Sequence, residues 1–357
     1  MATRIGTRSI DTLKGTSLAD TIWGDTDKAL INYEVGGSDQ LFGGSGIDTM
    51  VGDAYELLGN ARGGNDTFYG DWNGNRYFIG DMEVFMELDS SPDTLVGDAY
   101  YMRNNSRGGR DTMYGEGGND TLYGDAYQMT GSAISGHDLM YGGEGDDGLY
   151  GDAFFMSGST QDVAGNESDR DRLFGGAGND TLFGDAYQMT GSARGGEDWL
   201  KGGKGNDVIY GDARTMKDFS VGGNDVLWGH EGNDYLYGDA YSATSLVAGG
   251  DDLLYGGAGE DHMWGGRGAD TFAFEPIYDS DTFQFVKNNT GKDIIYDFYQ
   301  AEGDKIDVSM VPDIDNFADL VITEDAGGNA VVQLLEGAYV TLLGIDQNQL
   351  SAQDFLF

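Results

Sequence analysis

Apolar residues recur along most of this chain at multiples of nine residues, each the middle member of a short triplet that glycine-rich sequence precedes. The column includes Leu41, Met50, Phe68, Met113, Leu122, Met140, Leu149, Leu173, Leu182, Leu200, Ile209, Leu227, Leu236, Leu254 and Met263. The unit is clearest in GGAGNDTLF (175–183), GGKGNDVIY (202–210), GGAGEDHMW (256–264) and GGRGADTFA (265–273). Its first six residues can turn through conformations barred to residues with a Cβ, and its last three form a short strand with one inward side chain. No isolated unit can bury that side chain, so the pattern predicts stacked coils around one continuous core.

A longer period lies over the nonapeptide. Aspartates precede the triplets at Asp39, Asp66, Asp93, Asp111, Asp138, Asp171, Asp198, Asp225 and Asp252, at spacings of 27, 27, 18, 27, 33, 27, 27 and 27 residues. The 18-residue step reads as one nonapeptide short, and the 33-residue step as carrying six extra residues near Gln161 to Glu167, expected as a loop. The third nonapeptide of each unit differs, as in GDAYELLGNA (52–61), GDAYQMTGSA (124–133 and 184–193) and GDAFFMSGST (151–160). There Tyr127 and Met129, or Phe154 and Met156, fall two apart and are expected to share the buried face of a longer strand. These turns lack half of the glycine motif and are expected to be poorer metal sites. Two geometries fit: a two-sided coil of 18 residues, and a three-sided coil of 27 that stacks like turns on like. The two-stranded roll is the reading taken here, because an 18-residue step would remove a whole side from a triangular coil.

Charge then changes the picture. The 357 residues carry 62 Asp plus Glu against 20 Lys plus Arg, a formal charge of −42, and 61 are glycine. Such a chain is no partner for nucleic acid, whose binding rests on cationic contacts. Cysteine is absent, which excludes disulfides and thiolate chemistry. No run is long and apolar enough for a transmembrane segment, and the first residues lack the apolar core of a cleaved signal peptide. Left alone, the carboxylates would repel one another, and the 39% hydrophobic content would bury too little surface to offset the entropy of ordering. Cations from outside are required.

GGxGxD turns supply backbone carbonyls and a terminal carboxylate, all hard oxygen donors, which suits calcium better than magnesium or zinc. The three histidines, His137, His230 and His262, are too few for zinc sites. Eight complete turns end at Asp48, Asp120, Asp147, Asp180, Asp207, Asp234, Asp261 and Asp270. With this motif the sequence resembles the RTX, or haemolysin-type calcium-binding repeat, proteins. The resemblance implies an all-β chain, a parallel β-roll or β-solenoid with rows of multiple Ca²⁺ ions along its edges and a C-terminal β cap. Candidate metal residues are those eight aspartates, the strand-leading Asp39, Asp66, Asp111, Asp138, Asp171, Asp198, Asp225 and Asp252, and the turn glycines Gly43, Gly175, Gly202, Gly256 and Gly265. In GDWNGNRYFIGD (70–81) Arg76 replaces the turn aspartate, so a gap in the calcium row is expected around Trp72 to Asp89.

Two domains are expected: repeats over 1–276 and a capping, export-signal region over 277–357. GKDIIYDFYQAEGDKIDVSMV (291–311) resembles the segment after the last repeats of serralysin-type secreted proteases. LVITEDAGGNAVVQLL (320–335) reads as a hairpin, and YVTLLG (339–344) as a further strand. The closing QLSAQDFLF is similar to the uncleaved signals read by type I secretion machinery. Repeats begin by Asp11 and Asp20, and no HExxH, G-x-S-x-G or P-loop lysine motif occurs, so no enzyme is expected. Outward aromatics follow the inward column at Trp23, Phe42, Tyr69, Tyr114, Tyr123, Tyr141, Tyr150, Phe174, Phe183, Tyr210, Trp228, Tyr237, Tyr255 and Trp264. Cross-strand packing is the favoured reading, and a strip for sugar rings or neighbouring molecules the other. The expected function is a secreted, extracellular or cell-surface calcium-binding protein with a structural, adhesive or interaction role, meeting polysaccharide or copies of itself. The alternative is an exported carbohydrate-active enzyme or carbohydrate-binding module.

Overall fold

The computed structural model describes residues 2–70, 76–79, 82–85, 90–160, 170–274, 277–279, 284–286, 291–335 and 337–357. Among these, two parallel sheets run the length of the repeats and a third, shorter one accompanies them between Ala29 and Ala243, where each coil adds one strand to each sheet. One coil illustrates the rule: Arg172–Ala177 lies in the second sheet, Thr181–Phe183 in the first, Ala186–Gly191 in the third, and Trp199–Lys204 returns to the second. Neighbouring coils stack in register, with Leu182 beside Ile209 and Leu173 beside Leu200.

The full coil is therefore 27 residues, and Asp180 stands beside Asp207, its N–H donating to the Asp207 carboxylate at 2.8 Å. That corrects the two-stranded roll at the level of the coil, within a β-solenoid that stands as expected. The interior nevertheless keeps a two-sided logic. Side chains of the first and second sheets, such as Leu182, Leu200 and Ile209, form one core, while Ala186, Met189 and Ala193 of the third sheet belong to another. The third strand is a lobe: the chain leaves at Gly184–Asp185, reverses near Gly191 at φ 77°, and returns to Gly196, whose N–H donates to Asp185 at 2.8 Å. At both ends the lobe is missing, and coils of 18 residues join Thr3–Ile5 to Thr21–Trp23 and Leu253–Ala258 to Thr271–Ala273.

The apparent 18-residue step has a different cause from a lost nonapeptide. Asp93 belongs to the first-sheet column, where its carboxylate accepts from Asp48 N–H 45 residues earlier, and Asp66 is followed in its own column by Asp111, also 45 residues on. The chain thus holds 18 surplus residues after Tyr69, including an antiparallel pair, Arg76–Ile79 with Met82–Phe85. The Arg76 side chain and the expected calcium gap at 72–89 lie outside the described residues, as does the loop expected at 161–167. The ladder closes in register across the latter, Leu139 pairing with Arg172.

The shared face expected for Tyr127 and Met129 is also corrected. Ala126 and Met129 are fully buried, with Tyr127 on the opposite side. The ladder pairs Ala99 with Ala126 and Tyr101 with Gln128 but skips position 127, so a local offset breaks strict alternation. Phe154 and Met156 divide in the same way.

Beyond the repeats, Lys292–Ile295 extends the first sheet, and Lys305–Asp307 and then Phe355–Leu356 extend the second. The expected hairpin forms from Val321–Glu324 and Ala330–Leu335, with Ala338–Leu342 beside it on the first sheet. The apolar core runs unbroken from Ile22 to Phe355, so this segment closes the open end. No helix among the described residues is long and apolar enough to cross a membrane.

Candidate metal sites

Each strand-leading aspartate performs one structural task with one oxygen. In the first-sheet column the N–H of Asp120, Asp147, Asp180, Asp207 and Asp234 donates to Oδ1 of the corresponding aspartate in the next coil, at 2.8–2.9 Å. In the second-sheet column Asp39, Asp66, Asp111, Asp138, Asp171, Asp198 and Asp225 do the same. The column ends with Asp252 donating to Asp270. These carboxylates are almost wholly buried. Oδ2 of Asp120, Asp147, Asp180, Asp207, Asp234 and Asp261 has no hydrogen-bond partner, nor has Oδ2 of Asp39, Asp66, Asp111, Asp225 or Asp252. A buried carboxylate oxygen without a donor is costly, and a cation is the missing partner that fits an acceptor-only group.

Main-chain oxygens complete the donor set. The GGxGxD turns ending at Asp48, Asp147, Asp180, Asp207 and Asp261, and their variants GEGGND and GHEGND ending at Asp120 and Asp234, all lie on the edge where the second sheet hands over to the first. Gly176 and Gly178 adopt φ of 116° and 137°, and a Cβ at either would overlap the carbonyl oxygen of Gly143 or Gly145 in the preceding coil. A Cβ at Gly175 or Gly202 would meet Oδ2 of Asp180 or Asp207 in the same turn, and one at Gly43 or Gly256 that of Asp48 or Asp261. Glycine leaves a cradle lined by carbonyls and a carboxylate, which fits calcium; Asp180 and Asp207 with the turn backbones 175–179 and 202–206 would hold it. Among the described residues no three carboxylate or imidazole side chains converge as a metal centre, consistent with a site that draws mainly on backbone. Gly265 and Asp270 build the same kind of turn on the other edge, in the lobe-free last coil.

Electrostatics agree. Burial is the largest cause raising these carboxyl groups above the ordinary range, to about 7 at Asp180, about 8 at Asp234 and about 8 at Asp261. In the second-sheet column burial and neighbouring aspartates push Asp66, Asp111, Asp225 and Asp252 well above it. Without a cation these groups are driven toward protonation.

Eight stretches of the chain match the family model described as the RTX calcium-binding nonapeptide repeat: residues 5–28, 35–54, 106–126, 135–154, 167–186, 192–213, 221–240 and 248–272. The chain belongs to the RTX repeat family. Calcium is accordingly the cation of these turns. No curated protein matches the chain.

Several acidic positions of this RTX solenoid escaped sequence reasoning. Asp293 and Asp304 prolong the two columns into the closing segment, accepting from Asp261 and Asp270 N–H at 3.1 Å. Their signal was present in GKDII and GDKID, a Gly-x-Asp or Gly-Asp before an alternating apolar pair. A third column, Asp25 from a Gly-Asp-Thr turn and Asp53, Asp98, Asp125, Asp152, Asp185, Asp212 and Asp239 from the GDA turns, is buried at all eight positions.

The aromatic strip divides into two. Phe183, Tyr210 and Tyr237 of the first sheet are covered and stack at 4.9 Å, packed against lobe residues such as Tyr187. Phe42, Tyr69, Tyr114, Tyr141 and Phe174 of the second sheet stack at 4.8–5.2 Å and stay half-buried on the outer face. Lys201 interrupts this ladder, its Nζ lying 5.8 Å from the Phe174 ring and 4.8 Å from that of Trp228.

Proposed function

We propose that this RTX protein is an exported, non-enzymatic scaffold that stays unfolded at low calcium and folds when extracellular calcium fills its turns. The observation that carries the reading is the unpartnered buried carboxylate oxygen repeated from coil to coil. On a chain of charge −42 this makes the metal-free fold self-repelling. Free calcium inside cells lies far below the ~10⁻⁴ to 10⁻³ M range of extracellular modules, so the chain would remain extended for passage through a narrow channel. The closing segment 349–357 would serve as the uncleaved signal for type I secretion machinery. The role outside would be structural, adhesive or interactive. Circular dichroism of the full chain with calcium, magnesium or chelator tests this. Calcium alone should give the β spectrum, and a fully folded chelated chain at neutral pH would defeat the reading.

A second reading, carbohydrate binding, rests on one place. A cleft of about 210 Å³ is lined by Tyr237, Tyr241, Trp264, Asp239 and Asp297, where the last lobe strand begins. Aromatic faces beside carboxylates suit sugar rings. Retention on acidic polysaccharide that Trp264→Ala abolishes would favour it, and depolymerisation of that polysaccharide would make the protein an enzyme.

A further inference from the structure

The lobes split a turn. In the lobe-free last coil the edge between first and second sheets is GGRGAD (265–270). In lobed coils the first part of that turn is Gly-Asp before the lobe, as in Gly211–Asp212. The second part is Gly-Asn-Asp after it, as in Gly223–Asp225. The halves meet again at the neck, where Gly223 N–H donates to Asp212 Oδ1 at 2.6 Å. The same bond recurs from Gly64 to Asp53, Gly136 to Asp125 and Gly250 to Asp239, at 2.8–2.9 Å. The lobe thereby brings into the turn a carboxylate that the unsplit turn does not have.

Two oxygens at this neck lack partners. Oδ2 of Asp212 and Oδ2 of Asp225 make no hydrogen bond, and the two side chains are 0% and 1% exposed. After burial, Asp225 is the neighbour with the largest effect on Asp212, so the groups share one environment. Glycine again leaves the space: a Cβ at Gly211 would overlap Gly238 O and Asp225 Oδ2, and one at Gly222 would overlap Asp212 Oδ2. The neck lies between the two apolar cores, where no bulk water can solvate the pair.

We propose that the lobe neck at Asp212 and Asp225 is a second class of calcium site, in which the GDA aspartate and the strand-leading aspartate after the lobe give two carboxylates to one buried ion. The inference rests on the calcium-scaffold reading and reverses the expectation that the GDA turns bind metal poorly. At the open edge the two carboxylates of a site come from successive coils, whereas at the neck both come from one turn held closed by the Gly223 N–H bond, and such a rigid, enclosed site strengthens calcium binding, so it fills before the open-edge turns. The lobe then docks on the roll through its ion, and lobe and metal order together.

The test measures calcium stoichiometry and affinity on the full chain by equilibrium dialysis and titration calorimetry. It compares the parent with Asp212→Asn, Asp225→Asn and the open-edge control Asp207→Asn. Asparagine keeps the acceptor for Gly223 N–H at position 212 and for Asp198 N–H at position 225, so the neck can still close, and the two neck variants each remove one carboxylate of the same site. The expected result is two affinity classes separated by tenfold or more. Each neck variant should lose one ion from the tighter class, and Asp207→Asn one from the weaker. An ion lost by Asp207→Asn but by neither neck variant overturns the neck site alone and leaves a proton shared by the paired carboxylates. No ion lost by any variant overturns the calcium reading as well.

Discussion

Asp207→Asn isolates the metal from the hydrogen-bond ladder. Asp207 is fully buried; its Oδ1 accepts from Asp180 N–H, its own N–H donates to Asp234, and its Oδ2 is unpartnered beside Gly202. Asparagine keeps the acceptor and removes the charge, so the ladder survives and one ion is lost. A ligand binding only the folded state contributes about 2.7 kcal/mol at a hundred times its dissociation constant, and about 0.4 kcal/mol at a concentration equal to it. Urea unfolding of the variant should therefore show a deficit of about 2.7 kcal/mol in ~10 mM calcium, shrinking to about 0.4 kcal/mol near ~0.1 mM, for a site of ~10⁻⁴ M. Asp207→Ala should add about 1–3 kcal/mol at both concentrations, because Asp180 N–H then loses its acceptor in a buried place. An Asp207→Asn deficit of equal size at high and low calcium would refute the assignment.

Four further outcomes are expected. Gly178→Ala places a Cβ against Gly145 O at φ 137° and should raise the calcium midpoint of folding, whereas His230→Gly relieves a left-handed non-glycine residue at φ 76° and should stabilise the calcium form by about 1 kcal/mol. Burial raises Asp180 to about 7 and Asp234 and Asp261 to about 8, so in chelator the folded form binds more protons than the unfolded one. Their contribution is fully present below about pH 4 and lost as pH rises through 7–8, so the chelated chain should show more β structure by circular dichroism at pH 5 than at pH 8. For export, Leu356 and Phe357 are exposed while Phe355 is buried, so Leu356→Ser with Phe357→Ser should leave calcium-driven folding intact and retain the protein inside cells, as cell fractionation would report.

The apolar column and the aspartate positions were legible because each nonapeptide makes the same local demand: a glycine turn, a carboxylate, one inward side chain. Leu182, Ile209, Asp180 and Asp207 all stand where spacing places them. The coil was harder to read, because 18 and 27 are both multiples of nine, and periodicity does not say whether a third nonapeptide joins the ring or stands aside. The deciding signal was the three-residue separation of Ala126 and Met129, which differs from the strand period of two and marks the lobe interior. Asp93 misled for a related reason: it fits the nonapeptide step but belongs to the other sheet, and only the ladder from Asp48 through Asp93 to Asp120 separates the columns. The neck aspartates were hidden because Asp212 and Asp225 lie thirteen residues apart and meet only when the lobe folds.

Carboxylates and core grow together in this fold, since every added coil brings new buried aspartates along with new inward aliphatics. Lengthening the solenoid therefore never dilutes the charge; each coil carries its own requirement for cations or protons. The ladder also has a direction. Each N–H needs the carboxylate of the following coil, so the last repeat depends on what comes after it, and Asp293 and Asp304 meet that need for Asp261 and Asp270. A coil at this end finds its acceptors in place before any further coil has formed, while at the other end the acceptors exist but the new donors must be ordered. Because the closing segment also covers the apolar core there, formation of calcium-loaded coils is best supported next to residues 291–357 and propagates from them toward Asp20. Removing Asp293 and Asp304 as acceptors should for that reason slow calcium-driven folding of the whole solenoid more than removing Asp20 and Asp39 at the opposite end. Stopped-flow mixing with calcium measures this, and equal folding rates for the two double alanine variants would count against a directional solenoid.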